Sequence, residues 1–286
     1  MTSVEPKRDA EKVLAEKLAR LLEIITRLGS ALVCYSGGID SAVVLAAAHR
    51  VLHARAIGMT AVSPSLPESE REDAARIARE IGASHRFVDS SELSREGYVA
   101  NGPDRCFHCK SELYEIAERK RAEWQLAAVL NGTNLDDLGD YRPGLEAAKN
   151  SGVRSPLVEA GMNKADVREL AKLFGLSAWD KPAAACLSSR IPYGTSVTPE
   201  RLAQVGGLEA ELRKLGFRRS RVRYHDSIAR IELELDELSR LLETGTREAV
   251  LEAGKAHGFR YVTLDLGGYR TGSHNEVLAG RSLRIV

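Results

Sequence analysis

The sequence of 286 residues is poor in aromatic residues, in cysteine and in net charge, and each shortage excludes a class of protein. Lys and Arg total 41 against 40 Asp and Glu, so the formal net charge of +1 provides no general attraction to nucleic acid. Aromatic residues make up 5%, too few for a broad surface that stacks bases. The four cysteines are expected to be core, catalytic or metal-bound rather than disulfide-bonded.

Long apolar runs are also missing. The residues after Pro6 are mostly charged, and no uninterrupted apolar stretch follows that would serve as a signal peptide or a membrane span. We therefore expect a cytoplasmic protein without a membrane partner. Hydrophobic residues are 43% and charged residues 28%, as in ordinary globular proteins, and the length allows one large or two modest domains.

A glycine-rich loop, residues 36–41, is the most informative short stretch. A short apolar run precedes it and a run of good helix formers follows, so a strand leads through a glycine turn into a helix. The first amides and the dipole of such a helix favour an anion such as phosphate. From the two glycines alone an ordinary turn fits equally well. The loop lacks the Walker lysine and the third glycine of the dinucleotide fingerprint, so neither a kinase nor a dehydrogenase is indicated.

Strand and helix patterns alternate over the first two thirds of the chain, which predicts a parallel sheet with right-handed crossovers. From about residue 198 the pattern changes to a helix, two strands around Asp226-Ser227, a polar helical stretch over residues 236–257 and a last strand. We expect an α/β fold with a parallel-sheet domain in residues 1–195 and a smaller α+β domain in residues 196–286.

Ligands of parallel sheets lie off the carboxyl ends of the strands, where Ser36, Ser63 and Asn131 fall. Asn131 opens a loop rich in glycine and aspartate that could hold ribose or Mg²⁺, although a solvated turn is the alternative. The candidate residues of this loop are Gly132, Asp136, Asp137 and Asp140.

Cysteines supply the second set of candidates. Cys34 lies among apolar neighbours and is expected in the core. Cys106 and Cys109 stand at the start of a helix and can point at one metal, although a lone C-x-x-C is a weak motif and a chance pair is the alternative. With Cys186 as the third thiolate, an iron–sulfur cluster with one open position fits better than closed zinc. His108 is expected to be exposed.

Cys186 stands after small alanines and before Ser188, Ser189 and Arg190. Small neighbours leave the sulfur reachable, and a guanidinium nearby favours the thiolate. On these grounds alone a buried structural cysteine fits equally well.

The glycine loop resembles the PP-loop of the ATP pyrophosphatases, which adenylate a substrate oxygen and release pyrophosphate. Together with residues 131–144, 179–198 and 266–275, it is similar over nearly the whole chain to the LarE family of ATP-dependent sulfur transferases. Members of this family convert pyridinium-3,5-biscarboxylic acid mononucleotide into the thiocarboxylates of the nickel-pincer nucleotide. The resemblance implies ATP and Mg²⁺ as cofactors, with Asp40 on the Mg²⁺. It implies that the pyrophosphate is held by Ser36, Gly37, Gly38, Ile39, Asp40 and Ser41.

The same resemblance implies two alternative roles for Cys186. In the single-cysteine branch, the matching cysteine attacks the acyl-adenylate and then gives up its sulfur by β-elimination. Cys106 and Cys109 depart from that branch and resemble the three-cysteine branch, which implies a [4Fe-4S] cluster held by Cys106, Cys109 and Cys186, with bound sulfide as the donor. Cys186 is then a ligand instead of a nucleophile.

Arginines are concentrated in the second domain. A solvated basic strand face would explain them, and a pocket for the substrate phosphate is the functional alternative. Glu209 and Glu232 are the candidate acid, base or metal groups, and the resemblance favours the pocket at Arg221, Arg223 and Glu209. We expect Glu209 to be catalytic and Arg190 to be a further binding residue. The basic residues are Arg218, Arg219, Arg221, Arg223, His225 and Arg230.

Other functions stay open from the sequence. A PP-loop tRNA thiolase is the main alternative, and its RNA binding would weaken steeply with salt. A nucleotide-responsive cluster carrier would bind ATP without releasing pyrophosphate, and an NAD or GMP synthetase would not need the three cysteines. For the preferred function the partner is a small mononucleotide rather than nucleic acid, and the resemblance implies a homo-oligomer, a hexamer in the family.

Overall fold

The computed structural model describes residues 5–139, 143–181 and 185–270 of the chain. Helices and strands alternate up to β3, two helices separate β3 from β4, and helices then outnumber strands. In chain order the elements are α1 Glu5–Thr26, β1 Ala31–Cys34, α2 Ile39–Leu52, β2 Ala56–Val62, α3 Glu68–Ile81, β3 Ser84–Asp89, α4 Glu96–Val99, α5 Arg105–Glu123, β4 Ala128–Leu130, α6 Pro143–Asn150, α7 Pro156–Glu159, α8 Lys164–Leu173, α9 Pro199–Lys214, β5 Ser220–His225, β6 Ile228–Leu233, α10 Leu238–Leu242, α11 Thr244–Ala256 and β7 Tyr261–Leu264.

The chain divides into two compact units. The first consists of Met1–Ser63, Glu68–Arg95 and Asp104–Ala184, and the second of Pro64–Pro67, Glu96–Pro103 and Ala185–Val286. The second unit thus starts before the expected division at residue 195 and includes two short earlier segments. Hydrogen bonds explain their membership, because the Leu187 amide donates to the Ser65 carbonyl and the Asn101 side chain donates to the carbonyl of Pro192.

The first unit contains a four-stranded sheet in the order β3-β2-β1-β4, and every neighbouring pair is parallel. The register places Ala31 beside both Ala56 and Ala128. Strands buried on both faces read as continuous apolar runs, which is the pattern of β1 and β2. The expected α/β class with a parallel sheet is confirmed.

Two cores cover the two faces of this sheet. On one face Leu21 of α1, Val43 of α2 and Leu170 of α8 belong to one cluster of buried side chains. On the other face Leu32 and Met59 of the sheet pack with Ile116 of α5, which accounts for the second cluster. Helices on both faces leave the carboxyl ends of the strands open for ligands.

The second unit contains a three-stranded sheet in the order β5-β6-β7. β5 and β6 form an antiparallel hairpin, and Asp226 in its turn has a φ of 52°. β7 pairs with β6 in the parallel direction. The helix predicted over residues 236–257 is interrupted, since α10 ends at Leu242 and α11 begins at Thr244. No helix within the described residues has the length and apolarity needed to cross a membrane.

Candidate active site

The glycine loop lies between β1 and α2, at the carboxyl end of the sheet. Gly37 has a φ of +71°, and a Cβ at this position would lie 2.8 Å from the Ala74 Cα, so a side chain is excluded. Gly38 is the N-cap residue of α2 and no side chain caps the helix. The Ser41 hydroxyl donates to the Gly38 carbonyl at 3.0 Å and lies 3.2 Å from the Ser36 hydroxyl. This uncapped helix start, lined by two hydroxyls, suits an anion.

Gly132 follows β4 and meets the loop from the neighbouring strand. A Cβ on Gly132 would lie 2.7 Å from the Ser41 backbone nitrogen and 3.0 Å from the Asp40 carbonyl carbon. The backbone after β4 therefore packs directly on the first turn of α2, an approach that other residues would prevent.

Asp40, the second residue of α2, has both carboxylate oxygens engaged. Its Oδ1 accepts a hydrogen bond of 3.0 Å from the Asn134 side-chain amide, and its Oδ2 lies 2.5 Å from the Lys164 ammonium. Asp136 is exposed, and its Oδ2 accepts from the Lys164 backbone amide at 2.9 Å. The side chain of Asp137 accepts from the Asn134 backbone amide. The carboxylates of Asp136 and Asp137 therefore both fix the loop that carries Asn134.

Two other sequence candidates lie near the ends of the strands. Ser63 follows β2 and donates its hydroxyl to Glu92, whose side chain is buried and also accepts from Ser90. Asn131 follows β4 and accepts from the Ser155 hydroxyl at 2.9 Å. Asp140, the remaining candidate of the aspartate-rich loop, lies outside the described residues. The nucleotide roles of Ser63, Gly132 and Asp136 stay predictions.

Cys34 ends β1, is partly buried, and packs against two clusters of buried side chains that both include residues of α5, which agrees with the expected core position. Burial raises the pKa of its thiol to about 12, against the effect of the Lys110 ammonium. Desolvation acts to lower the pKa of Lys110, but the charges of Tyr114 and Cys109 outweigh it and the pKa is raised. Lys110 therefore supplies a positive charge in the neighbourhood of the thiols.

Cys106 and Cys109 lie in the first turn of α5, three positions apart, so they share one face of the helix. Cys106 is exposed and Cys109 is partly buried. His108 lies 3.2 Å from the Asp104 carboxylate and is half-buried rather than exposed. Across residues 5–139, 143–181 and 185–270, no group of three or more His, Cys, Asp and Glu side chains is arranged to hold a metal ion.

Cys186 belongs to the second unit and immediately precedes a short 3₁₀ helix, Leu187–Arg190. Its side chain is exposed, which excludes a buried structural cysteine. Its carbonyl accepts from the Ser189 hydroxyl at 2.8 Å and from the Arg190 guanidinium at 3.1 Å. The backbone at Cys186 is thus fixed while the sulfur remains reachable.

Arg190 and Glu209 form the bonds that hold this segment. The Arg190 guanidinium is 2% exposed and makes two parallel bonds, of 2.8 and 2.9 Å, to the Glu209 carboxylate. Burial lowers the pKa of Arg190, but Glu209 outweighs it and the pKa is raised. Glu209, on α9, also accepts from the Val222 amide at 2.9 Å. Both side chains are occupied within the unit, an arrangement suited to positioning Cys186.

Arg223 and Arg221 lie on β5 but differ in their partners. Arg223 is buried and makes bonds of 3.0 and 2.9 Å to Glu232, which is fully buried. Arg221 makes no ion pair within the described part of this unit, residues 64–67, 96–103 and 185–270. Its guanidinium lies 5.2 Å from the centre of the Tyr269 ring. Burial, together with Arg190, lowers the pKa of Arg221.

Lys164, Asn134 and Tyr269 were not among the residues predicted from the sequence. A signal for Lys164 existed, since Asn163 and Asp166 have the spacing of a capping box, which the structure contains at the start of α8. Tyr269 stands in the stretch 266–275 but carries no motif of its own.

Known proteins that resemble this chain point in one direction. Residues 11–99 match the family model described as asparagine synthase. An uncharacterised protein of Synechocystis sp. is 44% identical over 266 residues, 93% of this chain and 99% of that protein. The pyridinium-3,5-bisthiocarboxylic acid mononucleotide synthase of Lactiplantibacillus plantarum is 41% identical over 271 residues, 94% of this chain and 98% of the synthase. The chain therefore belongs to the LarE family of ATP-dependent sulfur transferases, within the PP-loop superfamily.

Proposed function

We propose that this protein adenylates a carboxylate of pyridinium-3,5-biscarboxylic acid mononucleotide and replaces one carboxylate oxygen by sulfur. The observation that carries the proposal is the exposed Cys186, whose carbonyl accepts a hydrogen bond from the buried Arg190, itself paired with Glu209, in a chain that matches the synthase nearly end to end.

The glycine loop performs the first step. A substrate carboxylate oxygen attacks the α-phosphorus of ATP, the bond from that phosphorus to the pyrophosphate oxygen breaks, and an acyl-adenylate forms. The negative charge that develops on the leaving pyrophosphate is stabilised by donors fixed before the reaction, which costs no reorganisation. The first amides of α2 and the hydroxyls of Ser36 and Ser41 are the donors that we assign to it. Asp40 is the residue that we assign to Mg²⁺.

Sulfur transfer follows by one of two routes at Cys186. In the first, the Cys186 thiolate attacks the acyl carbon, AMP leaves, and a thioester forms. Removal of the Cys186 α-proton then breaks the bond between Cβ and sulfur, which leaves dehydroalanine on the chain and sulfur on the substrate. Each polypeptide turns over once by this route.

In the second route, Cys106, Cys109 and Cys186 would hold a [4Fe-4S] cluster. Two of these thiols share one face of α5 at its uncapped start, near the Lys110 ammonium, a donor set that suits an anionic cluster. When bound, the cluster would supply sulfide as the sulfur donor. Cys186 would then keep its sulfur, and the enzyme would turn over repeatedly.

Arg221 is the side chain that we assign to the substrate phosphate. It is partly buried, forms no ion pair with a carboxylate within the described residues of its unit, and lies beside Tyr269. A bound phosphate would supply the missing counter-charge. Arg190 and Arg223 are themselves buried and already have carboxylate partners, so we assign them, with Glu209 and Glu232, to positioning.

A homo-oligomer is also part of the proposal. The second unit exposes several large apolar side chains, the kind of surface that association buries. They are Leu235, Leu242, Leu251, Tyr261 and Leu266. Light scattering coupled to size exclusion would measure a mass several times that of the monomer.

The test uses protein purified and reconstituted without oxygen. The iron and sulfide contents and the visible spectrum are measured first, followed by pyrophosphate release with ATP and the pyridinium substrate, and by the intact mass after turnover. We expect pyrophosphate release that depends on the substrate, and no thiocarboxylate from Cys186→Ala. If the wild-type protein shows an iron–sulfur absorbance that is lost in Cys106→Ala, and Cys186 is unchanged in mass after several turnovers, the sulfur comes from the cluster. Loss of the elements of H₂S from Cys186 assigns the other route. ATP binding without pyrophosphate release would overturn the proposal.

A further inference from the structure

Asn101 is a buried polar residue of the second unit that the proposed reaction does not use. It belongs to segment 96–103, is fully buried, and has a φ of 56°, in the left-handed region that Asn tolerates better than most residues. A residue other than glycine stays in this region only where its surroundings hold it, and such residues are concentrated at functional sites. The partners of Asn101 are therefore informative.

The side chain of Asn101 bonds the chain that follows Cys186. Its amide nitrogen donates to three backbone carbonyls, at 3.2, 2.8 and 2.9 Å, those of Ile191, Pro192 and Thr195. Between the 3₁₀ helix after Cys186 and the start of α9, this chain has no helix or strand of its own. Its carbonyls therefore depend on other donors, and one buried amide supplies them.

Tyr98, a second side chain of segment 96–103, bonds the chain closer to Cys186. It lies in α4 and is 1% exposed, and its hydroxyl hydrogen-bonds the hydroxyl of Ser188. Ser188 is two residues after Cys186 and is fully buried. Tyr98 and Asn101 together hold the backbone after Cys186 from residue 188 to residue 195.

Both routes of sulfur transfer need Cys186 in a fixed place, either at the acyl carbon or as a ligand of the cluster. Its side chain is exposed, so the position of the sulfur depends on the backbone that carries it. Arg190 fixes that backbone through Glu209 of α9, and segment 96–103 fixes it independently. A displacement of about 1 Å at a reacting group can slow a reaction about 100-fold.

We propose that Asn101 and Tyr98 are positioning residues for sulfur transfer, which hold Cys186 where its sulfur acts. The inference deepens the proposed function and rests on it only in taking Cys186 as the residue at which sulfur is transferred. Neither side chain is expected to contribute to adenylation, because both belong to the second unit and the glycine loop belongs to the first.

The first test measures amide hydrogen exchange by mass spectrometry, without ATP or substrate. Asn101→Gly removes the three side-chain bonds and leaves a residue that adopts a positive φ freely. Exchange in residues 187–197 should become about tenfold faster or more, while exchange in α11 of the same unit stays within about twofold. Tyr98→Phe removes one hydrogen bond, so exchange in residues 187–197 should become about two- to tenfold faster.

The second test measures the thiocarboxylate formed per pyrophosphate released, which separates sulfur transfer from adenylation. Asn101→Gly should lower this ratio by about tenfold or more, because Cys186 is displaced while the glycine loop is not. A smaller folded fraction would lower both products together and leave the ratio unchanged. The ratio therefore responds to the position of Cys186 rather than to stability.

Each variant has a matched control. Gln125→Gly changes another amide residue with a positive φ, 55°, which is exposed and lies in the first unit. Tyr261→Phe removes the hydroxyl of a tyrosine that is 57% exposed on β7. Neither control should change exchange in residues 187–197 or the product ratio.

Three results would overturn the inference. They are unchanged exchange in residues 187–197 in Asn101→Gly and Tyr98→Phe, an equal increase in α11 in both variants, and an unchanged product ratio in the folded variants. If Asn101→Gly does not fold, Tyr98→Phe decides by the same criteria. Failure of the wild-type protein to form thiocarboxylate would instead overturn the proposed function, and hydrogen exchange alone would then decide whether the two side chains hold the Cys186 segment.

Discussion

The two candidate regions are built in different ways. The nucleotide region of the first unit is made largely of backbone, because Gly37 and Gly132 allow close packing and the start of α2 is uncapped. The Cys186 region of the second unit is made of side chains, since two buried arginines, each paired with a carboxylate, join α9, β5 and β6 to the Cys186 segment. Backbone donors suit a ligand that is released in the reaction, as the proposed pyrophosphate is. The paired side chains of the second unit instead keep the Cys186 segment, and so its sulfur, in one position.

The difference predicts that the second unit depends most on its buried charges. Glu232→Ala should lower the free energy of unfolding by about 3–5 kcal/mol, because it leaves the buried Arg223 without its carboxylate. Glu234→Ala is the control, since Glu234 pairs with Arg219 at the surface and should cost about 0–1 kcal/mol. Chemical denaturation of both variants measures the contrast. Similar losses in the two would remove the distinction between the regions.

For the first unit, the sensitive positions are expected to be glycines. Gly132→Ala places a methyl group against the backbone of α2 and should cost about 1–3 kcal/mol of unfolding free energy. ATP binding should weaken with it, because the first turn of α2 must shift. At Gly139 an added Cβ would have no heavy atom within 4 Å, so Gly139→Ala should change stability by less than about 0.5 kcal/mol. Equal behaviour of the two variants in denaturation and ATP titration would contradict a backbone-built site.

Among these predictions, the smallest effect on the free energy of unfolding is expected from acidification. Burial lowers the pKa of His85 from 6.5. Its Nε2 lies 2.8 Å from the Thr60 hydroxyl, which donates to the Tyr35 carbonyl before the loop. The unfolded chain therefore binds a proton first, so stability decreases as the pH falls below about 6.5 towards the folded pKa. After allowance for solvent screening, the change should be a few tenths of a kcal/mol per pH unit.

His85→Gln should reduce this pH slope, measured by thermal unfolding between about pH 7 and pH 5. His225 in the second unit also has a pKa lowered by burial and by the charge of Arg230. His225→Gln should therefore remove a separate part of the dependence of stability on pH. An unchanged slope in His85→Gln would show that the histidine beside the loop does not titrate as described.

The parallel sheet and the glycine loop could be predicted from the sequence because both are local patterns. Apolar β1 and β2 and the glycines between β1 and α2 are contiguous in the chain. By contrast, α8 was not predicted, although its capping box is visible in the sequence. The polar stretch 236–257 was predicted as one helix, although Gly245 stands two residues after the break at Glu243 and is a local signal for it.

Pairs between distant residues could not be predicted from the sequence. Glu209 and Arg190 were both candidates, yet their mutual bonds depend on how α9 packs against the Cys186 segment. Lys164 and Asp40 are further apart still, and charge alone does not say which lysine of many reaches the loop. Local motifs thus predict a nucleotide site at the glycine loop, while the partners of its charged groups required the fold.

The two short segments 64–67 and 96–103, which belong to the second unit, have a consequence for dissecting the protein. The polypeptide passes back and forth between the units, so no single cut separates them as independent pieces. A truncation after residue 195 would remove α9 and all of the second sheet. Segments 64–67 and 96–103 would stay bonded to Leu187 and Pro192, but the rest of the unit to which they belong would be gone. Limited proteolysis or gene fission at the apparent boundary should therefore yield insoluble halves rather than two working modules.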